Sequence, residues 1–310
     1  MSADSRGRHA VLLLAYGAPE SLDEVEPYLN DVRGGRATSP ALVHELRQRY
    51  ARIGGRSPLL ERTREQAAAL SRSLGDGAPV YVGMRHWHPY IRETLARIRG
   101  DGYARTVAIA LAPHYSRLSL GAYELALEES REAIDVALVR QWHDHPGFLD
   151  AVAERVRSAL ERFDPSLREG IPLLFTAHSL PERIVADGDP YPAQLQCSVA
   201  GVLARLGRTS QRAWFAYQSA GRTAEPWLGP DAAAVMEQLA AQQERHLVLC
   251  PIGFVSDHLE VLYDVDVEYQ TLARRLGIRL ERTDSLNASP LLVEALADLV
   301  RTTARTRGWA

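Results

Sequence analysis

The hydrophobic positions of this chain follow two patterns that alternate along its length. Short, nearly continuous apolar runs occur at 11–14, 80–83, 106–112, 173–176, 214–217 and 246–250. Runs of this length, bounded by turn residues, predict buried strands of a parallel sheet. Between them apolar residues recur at steps of three and four, with Leu195, Val199, Leu203 and Leu206 as one such face. That period predicts helices over 39–53, 59–74, 89–98, 122–136, 148–163, 193–206, 232–243, 263–276 and 290–305. Strand and helix in alternation predict the α/β class, with parallel sheets flanked by helices.

The pattern also repeats. The run 11–14 leads into Ala15-Tyr16-Gly17-Ala18-Pro19, and the run 173–176 leads into Ala177-His178-Ser179-Leu180-Pro181. Each carries one polar ring side chain at the same offset from an Ala and a Pro. The segments 105–116 and 245–256 both read as a basic start, an apolar strand, a Pro and then a Ser, with two extra residues between the Pro and the Ser of the second copy. Two matches in the same order predict two similar halves, over 1–146 and 147–310, with a cleft between them. Ligands of open α/β sheets sit beyond the carboxyl ends of the strands. Tyr16 and His178 are therefore expected at matching places, looking into the cleft from opposite sides.

Composition narrows the chemistry. A chain of 310 residues with 46% hydrophobic and 24% charged content is long enough for two cores. Its net charge of -3 gives no footprint for nucleic acid or an anionic membrane. All 36 Lys+Arg residues are Arg. Without lysine there is no Walker-type phosphate loop, Schiff base or pyridoxal-phosphate anchor. Cys197 and Cys250 are too few to hold an iron–sulfur cluster or an all-cysteine zinc site, and both are expected as buried thiols in a reducing compartment. The apolar stretch 10–15 is too short for a signal-peptide core, and no run approaches the ~20 apolar residues of a membrane span. A cytoplasmic protein that is not integral to a membrane is expected. G-x-G-x-x-G after a strand and G-x-S-x-G are both missing, which disfavours dinucleotide binding and serine hydrolysis.

The densest polar cluster is the segment 256–268. Glu260, Asp264 and Glu268 recur every four residues, so on a helix they form one acidic stripe. Like charges at that spacing oppose a helix by about 0.2–0.5 kcal/mol per pair, so a cation, arginines or water should compensate. Val261, Leu262, Val265 and Val267 crowd the neighbouring positions and leave little room for a broad solvated face. His178, directly after a strand, is the nearest candidate partner. Imidazole nitrogen with carboxylate oxygen suits divalent iron, cobalt, nickel or zinc better than magnesium or calcium. His86 and His88 could share a face as a metal pair. His114, His143 and His145 read as structural. Arg33, Arg49, Arg52 and Arg56, with Tyr50 and Ser57, surround an early helix and loop. Their guanidinium forks could grip a multiply carboxylated ligand, or form an ordinary exposed basic loop.

Over nearly all of its length, from about Leu12 to about Val300, the chain resembles the ferrochelatases. The resemblance rests on five segments. They are Tyr16-Gly17-Ala18-Pro19; Arg49-Tyr50 with 53–59; Thr176-Ala177-His178-Ser179-Leu180-Pro181; Gln218–Arg222 leading to 226–230; and 253–260, ending in Asp257-His258-Leu259-Glu260. The resemblance implies two Rossmann-like halves, each a parallel sheet flanked by helices, around a porphyrin cleft, with the metal site in the second half. It implies insertion of Fe2+ into a porphyrin. His178 and Glu260 then resemble the catalytic pair that handles iron, and Asp264 and Glu268 an acidic path for cations or protons. Tyr16 resembles the phenol on the opposite porphyrin face, which ligates iron in the product of coproporphyrin-using members. Arg33, Arg49, Tyr50, Ser57 and Tyr123 resemble those members' substrate contacts.

Some features depart from parts of the family. The tail 301–310 lacks the cluster-binding cysteines of certain members, so no iron–sulfur cluster and no prosthetic group are expected. Arg85 stands where related bacterial enzymes often carry Lys. No apolar lip like that of the membrane-associated, protoporphyrin-using members is apparent, and the Arg-rich rim suits the four propionates of coproporphyrin III. The expected partners are the porphyrin and ferrous iron, with a downstream haem-pathway enzyme as candidate acceptor of the product; the chain is expected to be a monomer. A protoporphyrin IX ferrochelatase, a cobalt or nickel tetrapyrrole chelatase and a non-catalytic haem carrier stay open as alternatives.

Overall fold

The computed structural model describes residues 8–75, 78–131, 134–221 and 223–309. They fall into two compact units. The first runs to Ala112, resumes over Arg117–Trp142 and takes in the terminal segment from Asn287; the second consists of Pro113–Ser116 and His143–Leu286.

The first unit contains β1 (Ala10–Ala15), α1 (Val25–Val32), α2 (Pro40–Arg52), α3 (Leu59–Leu74), β2 (Val80–Met84), α4 (Ile91–Gly100), β3 (Arg105–Ala110), α5 (Leu120–Ser130) and β4 (Asp135–Val139). Its sheet has the order β2-β1-β3-β4 and is parallel throughout. Every residue of β1 is buried, which is why it reads as an unbroken apolar run.

In the second unit the order along the chain is α6 (Pro146–Glu161), β5 (Leu173–His178), the short α7 (Arg183–Ala186), α8 (Tyr191–Leu206), β6 (Ala213–Gln218), α9 (Ala232–Ala241) and β7 (His246–Cys250), then a π-helix over Glu260–Tyr269, α10 (Gln270–Leu276) and β8 (Arg279–Arg282). The sheet order is β6-β5-β7-β8, again parallel. Each unit thus places its second strand at one edge, followed by its first, third and fourth. The repeat legible in sequence is a repeat of topology, pairing β1 with β5 and β3 with β7.

Three differences from expectation have physical causes. The half expected over 147–310 gives up its end, because α11 (Pro290–Thr306) belongs to the first unit. Its buried stripe includes Leu292, Leu296 and Val300. Polar ties add to it: Gln66 Nε2 donates to the Asn287 carbonyl at 3.0 Å, and Arg307 reaches Asp135 at 2.6 Å. The helix expected over 122–136 stops at Ser130, and the chain goes on into the edge strand β4. The helix expected over 263–276 is the π-helix followed by α10.

Candidate functional site

β5 delivers His178 at its last position, beside Gln218, the last residue of β6 and its register partner. Close packing makes this arrangement possible. Gly253 follows β7, and a Cβ there would lie 2.6 Å from the Ala177 Cβ and 2.9 Å from its Cα. Only glycine lets the chain after β7 pass against the residue before the imidazole. Behind it, the buried Tyr191 hydroxyl donates to the His178 carbonyl at 3.0 Å. The Trp227 ring stands edge-on to the imidazole, with centroids 6.4 Å apart. Trp227 in turn fills the space a Gly221 side chain would need, its Cζ2 lying 2.2 Å from an added Cβ.

The imidazole Nδ1 lies 3.0 Å from Glu260 Oε2. Both side chains remain about one-third exposed, 33% and 32%, so the pair is reachable from solvent. Burial alone would lower the His178 pKa. The charge and hydrogen bond of Glu260, with the charge of Asp264, outweigh burial and hold it above the ordinary histidine value. For Glu260 burial pushes upward, but the charge and hydrogen bond of His178, with His258 and Ser219, hold it below the ordinary carboxylate value. Below the raised His178 pKa the two form an imidazolium–carboxylate pair. The His178 contribution to stability is present at low pH and lost as pH rises through its raised pKa. That of Glu260 is present above the ordinary carboxylate range and lost as pH falls through its depressed pKa.

Asp264 is buried one step along the π-helix and accepts a hydrogen bond from the Ser219 hydroxyl. Glu268, one step further, is exposed. The acidic stripe therefore runs from a half-buried acid through a buried one to the surface. The remaining acids of the segment are tied elsewhere: Arg282 binds Asp266 through both carboxylate oxygens at 2.7 and 2.9 Å and lies 3.8 Å from Asp257. Arginine thus neutralises one side of the helix and leaves Glu260, Asp264 and Glu268 on the other. Burial pushes the His258 pKa below the ordinary histidine value, and its Nδ1 lies 3.0 Å from the Ser256 carbonyl.

In the first unit Tyr16 directly follows β1, with 43% of its surface exposed. Gly17, at φ 96, makes the turn, and a Cβ there would meet the Trp87 backbone nitrogen at 2.8 Å. The Tyr16 ring lies 4.6 Å from His86. The Arg85 guanidinium sits 5.9 Å from the ring centres of both Tyr16 and Tyr123. Tyr123 is buried, and burial drives its phenol far up despite Arg85. His86 and His88 do not form a metal pair. His86 Nδ1 binds Asp31 at 2.8 Å, whereas exposed His88 binds Glu93 at 3.2 Å. Burial keeps His86 below its ordinary value despite Asp31, and Tyr90 donates to the other Asp31 oxygen at 3.1 Å.

The remaining expected contacts divide by exposure. Arg33 is exposed at the end of α1, and Arg49 pairs with Glu45 at 3.1 Å on α2. Tyr50 and Ser57 are buried. The Ser57 backbone donates to the Pro19 carbonyl at 3.2 Å, which ties the 54–57 loop to the turn after Tyr16. His114 and His143 are structural: Ser198 joins the His114 ring at 2.9 Å and the His143 carbonyl at 2.7 Å, and burial pushes His114 down to about 3. His145 caps α6. Sequence reasoning missed Asp31, Tyr191 and Arg282. It quoted Gln218 and Ser219 within a motif but gave them no role.

Comparison with known proteins decides the family. The ferrochelatase family profile matches residues 8–304. This chain belongs to the ferrochelatase family. The ferrochelatase of Herpetosiphon aurantiacus is 41% identical over 299 residues, covering 94% of this chain and 97% of that protein. The coproporphyrin III ferrochelatase of Geobacillus thermodenitrificans is 38% identical and covers 94% of each. Among solved structures, the sirohydrochlorin chelatase SirB from Bacillus subtilis subspecies spizizenii aligns with a TM-score of 0.57 over 96% of each chain at 11% identity, a likeness of fold alone. Ferrochelatases are enzymes of porphyrin and haem biosynthesis that insert iron, and the chemistry of an imidazole–carboxylate pair at a strand end suits a divalent iron cargo.

Proposed function

We propose that this ferrochelatase inserts Fe2+ into coproporphyrin III, giving Fe-coproporphyrin (coproheme) and releasing two protons. The observation that carries the chemistry is the His178–Glu260 pair, 3.0 Å apart, backed by Asp264. The choice of porphyrin is supported by the relative named for coproporphyrin III and by the exposed arginines Arg33, Arg52 and Arg56, whose guanidinium groups suit propionates. Arg49, Tyr50, Ser57 and Tyr123 complete the proposed substrate contacts, with Tyr16 as the exposed phenol against the macrocycle. No prosthetic group takes part. The enzyme works in the cytoplasm as a monomer and passes its product to a downstream haem-pathway enzyme. No helix among the described residues is long and apolar enough to cross a membrane.

Below its raised pKa the resting imidazole carries a proton, because Glu260 faces it. Fe2+ arriving at the Glu260 carboxylate cancels that negative charge, so the His178 proton is released. The neutral imidazole then takes a proton from a pyrrole N–H as the metal enters. Asp264 carries the proton along the helix to exposed Glu268. The second pyrrole proton leaves by the same route.

This order fixes a pH dependence. Metallation requires neutral His178, so kcat/KM should rise as pH rises through the raised imidazole pKa. Glu260→Gln removes the main upward influence while burial remains, so the inflection should move to lower pH even as the maximum rate falls. An unchanged inflection in the pH–rate profile of the variant would remove His178 as the proton acceptor.

The substrate is tested by anaerobic incubation with Fe2+ and either coproporphyrin III or protoporphyrin IX, followed by absorbance. A kcat/KM at least about tenfold higher for coproporphyrin III is expected, equivalent to about 1.4 kcal/mol of transition-state discrimination. Equal or reversed values would overturn the coproporphyrin assignment. Haem binding with no metallation of either porphyrin would identify a carrier instead.

A further inference from the structure

The π-helix that carries Glu260 and Asp264 is an unusual element. Its i→i+5 winding is rare and, where it occurs, is frequently found at functional sites. Two consecutive residues at the carboxyl end of β6 contact it. Gln218 is fully buried. Its Oε1 accepts from the Thr176 hydroxyl of β5 at 2.7 Å, and its Nε2 donates to the carbonyl of Glu260, the first residue of the π-helix, at 2.9 Å. One amide thus ties the strand that delivers His178 to the turn that delivers Glu260. Next to it, the Ser219 hydroxyl donates to Asp264 Oδ2.

Ser219 has φ 58, in the left-handed region where residues other than Gly, Asn and Asp are uncommon. Glycine would satisfy the backbone better. A serine held there is explained by its hydroxyl, which reaches the acid one π-helical step beyond Glu260. The same hydroxyl also helps hold Glu260 below the ordinary carboxylate value.

We infer that Gln218 and Ser219 are positioning residues for metal handling, fixing Glu260 and Asp264 in register with His178. This rests on the reading of His178 and Glu260 as the iron-handling pair. Neither residue needs to touch iron or porphyrin. Gln218 sets where the π-helix begins relative to β5, and Ser219 sets the rotamer of the second acid. Removing such a partner should weaken metal affinity while leaving porphyrin affinity alone, as loss of a supporting hydrogen bond does around metal ligands.

Ser219→Gly is the decisive variant, because it deletes the hydroxyl while its relief of the left-handed backbone offsets part of the cost of the hydrogen bond lost to buried Asp264. Two measurements apply: steady-state metallation with Fe2+ and porphyrin varied separately, and equilibrium binding of Co2+ without porphyrin. About a tenfold rise in KM for Fe2+ and in Kd for Co2+ is expected, with the KM for porphyrin unchanged. Ser219→Asn, which tolerates left-handed backbone and keeps a donor, should restore most of the loss. Metal parameters at wild-type values in Ser219→Gly, or equal losses for metal and porphyrin, would overturn the inference. Glu260→Gln, run in parallel, separates the two claims. Should it bind Co2+ and metallate as wild type does, the iron-handling reading itself fails; should it fail to do so while Ser219→Gly behaves as wild type, only the positioning role is lost.

Discussion

Gly253→Ala is expected to destabilise the second unit by about 2 kcal/mol and to slow metallation by one to two orders of magnitude. The Gly253 amide donates to the Thr176 carbonyl at 3.2 Å, so the chain after β7 is fixed against β5. A new methyl group would sit 2.6 Å from the Ala177 Cβ and 2.9 Å from its Cα, and rotating a side chain cannot relieve either contact. The backbone must move, and the next residue along β5 is His178. Overpacking of this kind typically costs 1–3 kcal/mol, and a reacting group displaced by about 1 Å can lose about a hundredfold in rate. Urea unfolding followed by circular dichroism, with kcat on the same sample, checks both parts. Gly100→Ala is the matched control: it ends α4, and an added Cβ meets nothing within 4 Å. It should leave both unchanged or raise stability slightly. If Gly253→Ala behaves like Gly100→Ala, the close approach does not position the imidazole.

The central strands were legible because parallel strands covered on both sides contain little but apolar residues, as β1 and β5 do. Of the edge strands, β2 and β6 were legible as the runs 80–83 and 214–217, but β4 and β8 were not. β8 reads Arg-Leu-Glu-Arg, with only Leu280 buried, and β4 begins with exposed Asp135. Edge strands carry charge that discourages pairing with other chains, and this erases the apolar signal. The return of α11 to the first unit was equally hidden, because an amphipathic stripe does not say which surface it covers.

The candidate site divides in the same way. His178, Glu260, Asp264 and Glu268 stood out because ionisable residues at strand ends and in a regular stripe have few structural reasons to be there. The π-helix could not be foreseen, since a shift from four-residue to five-residue bonding leaves no mark in the spacing of apolar positions. Its two clasps, Gln218 and Ser219, are uncharged and stood only within a motif, with nothing to mark a role. Arg282 lies on a strand that was itself missed, so its role in neutralising Asp266 became visible only with the fold.

Loss of the imidazole should have the larger effect. His178→Ala removes the group proposed to accept the pyrrole protons and leaves Glu260 without its hydrogen-bonded partner. General acid–base groups typically contribute a factor of 10² to 10⁴, so a fall in turnover of about a thousandfold is expected. Porphyrin affinity, read by quenching of porphyrin fluorescence, should stay within about twofold, since those contacts are assigned to other residues. The most direct measurement is the anaerobic single-turnover rate at which Fe2+ enters bound porphyrin, followed by absorbance in wild type and His178→Ala. A rate about three orders of magnitude lower, with porphyrin still bound, is predicted; insertion at the wild-type rate would contradict the account.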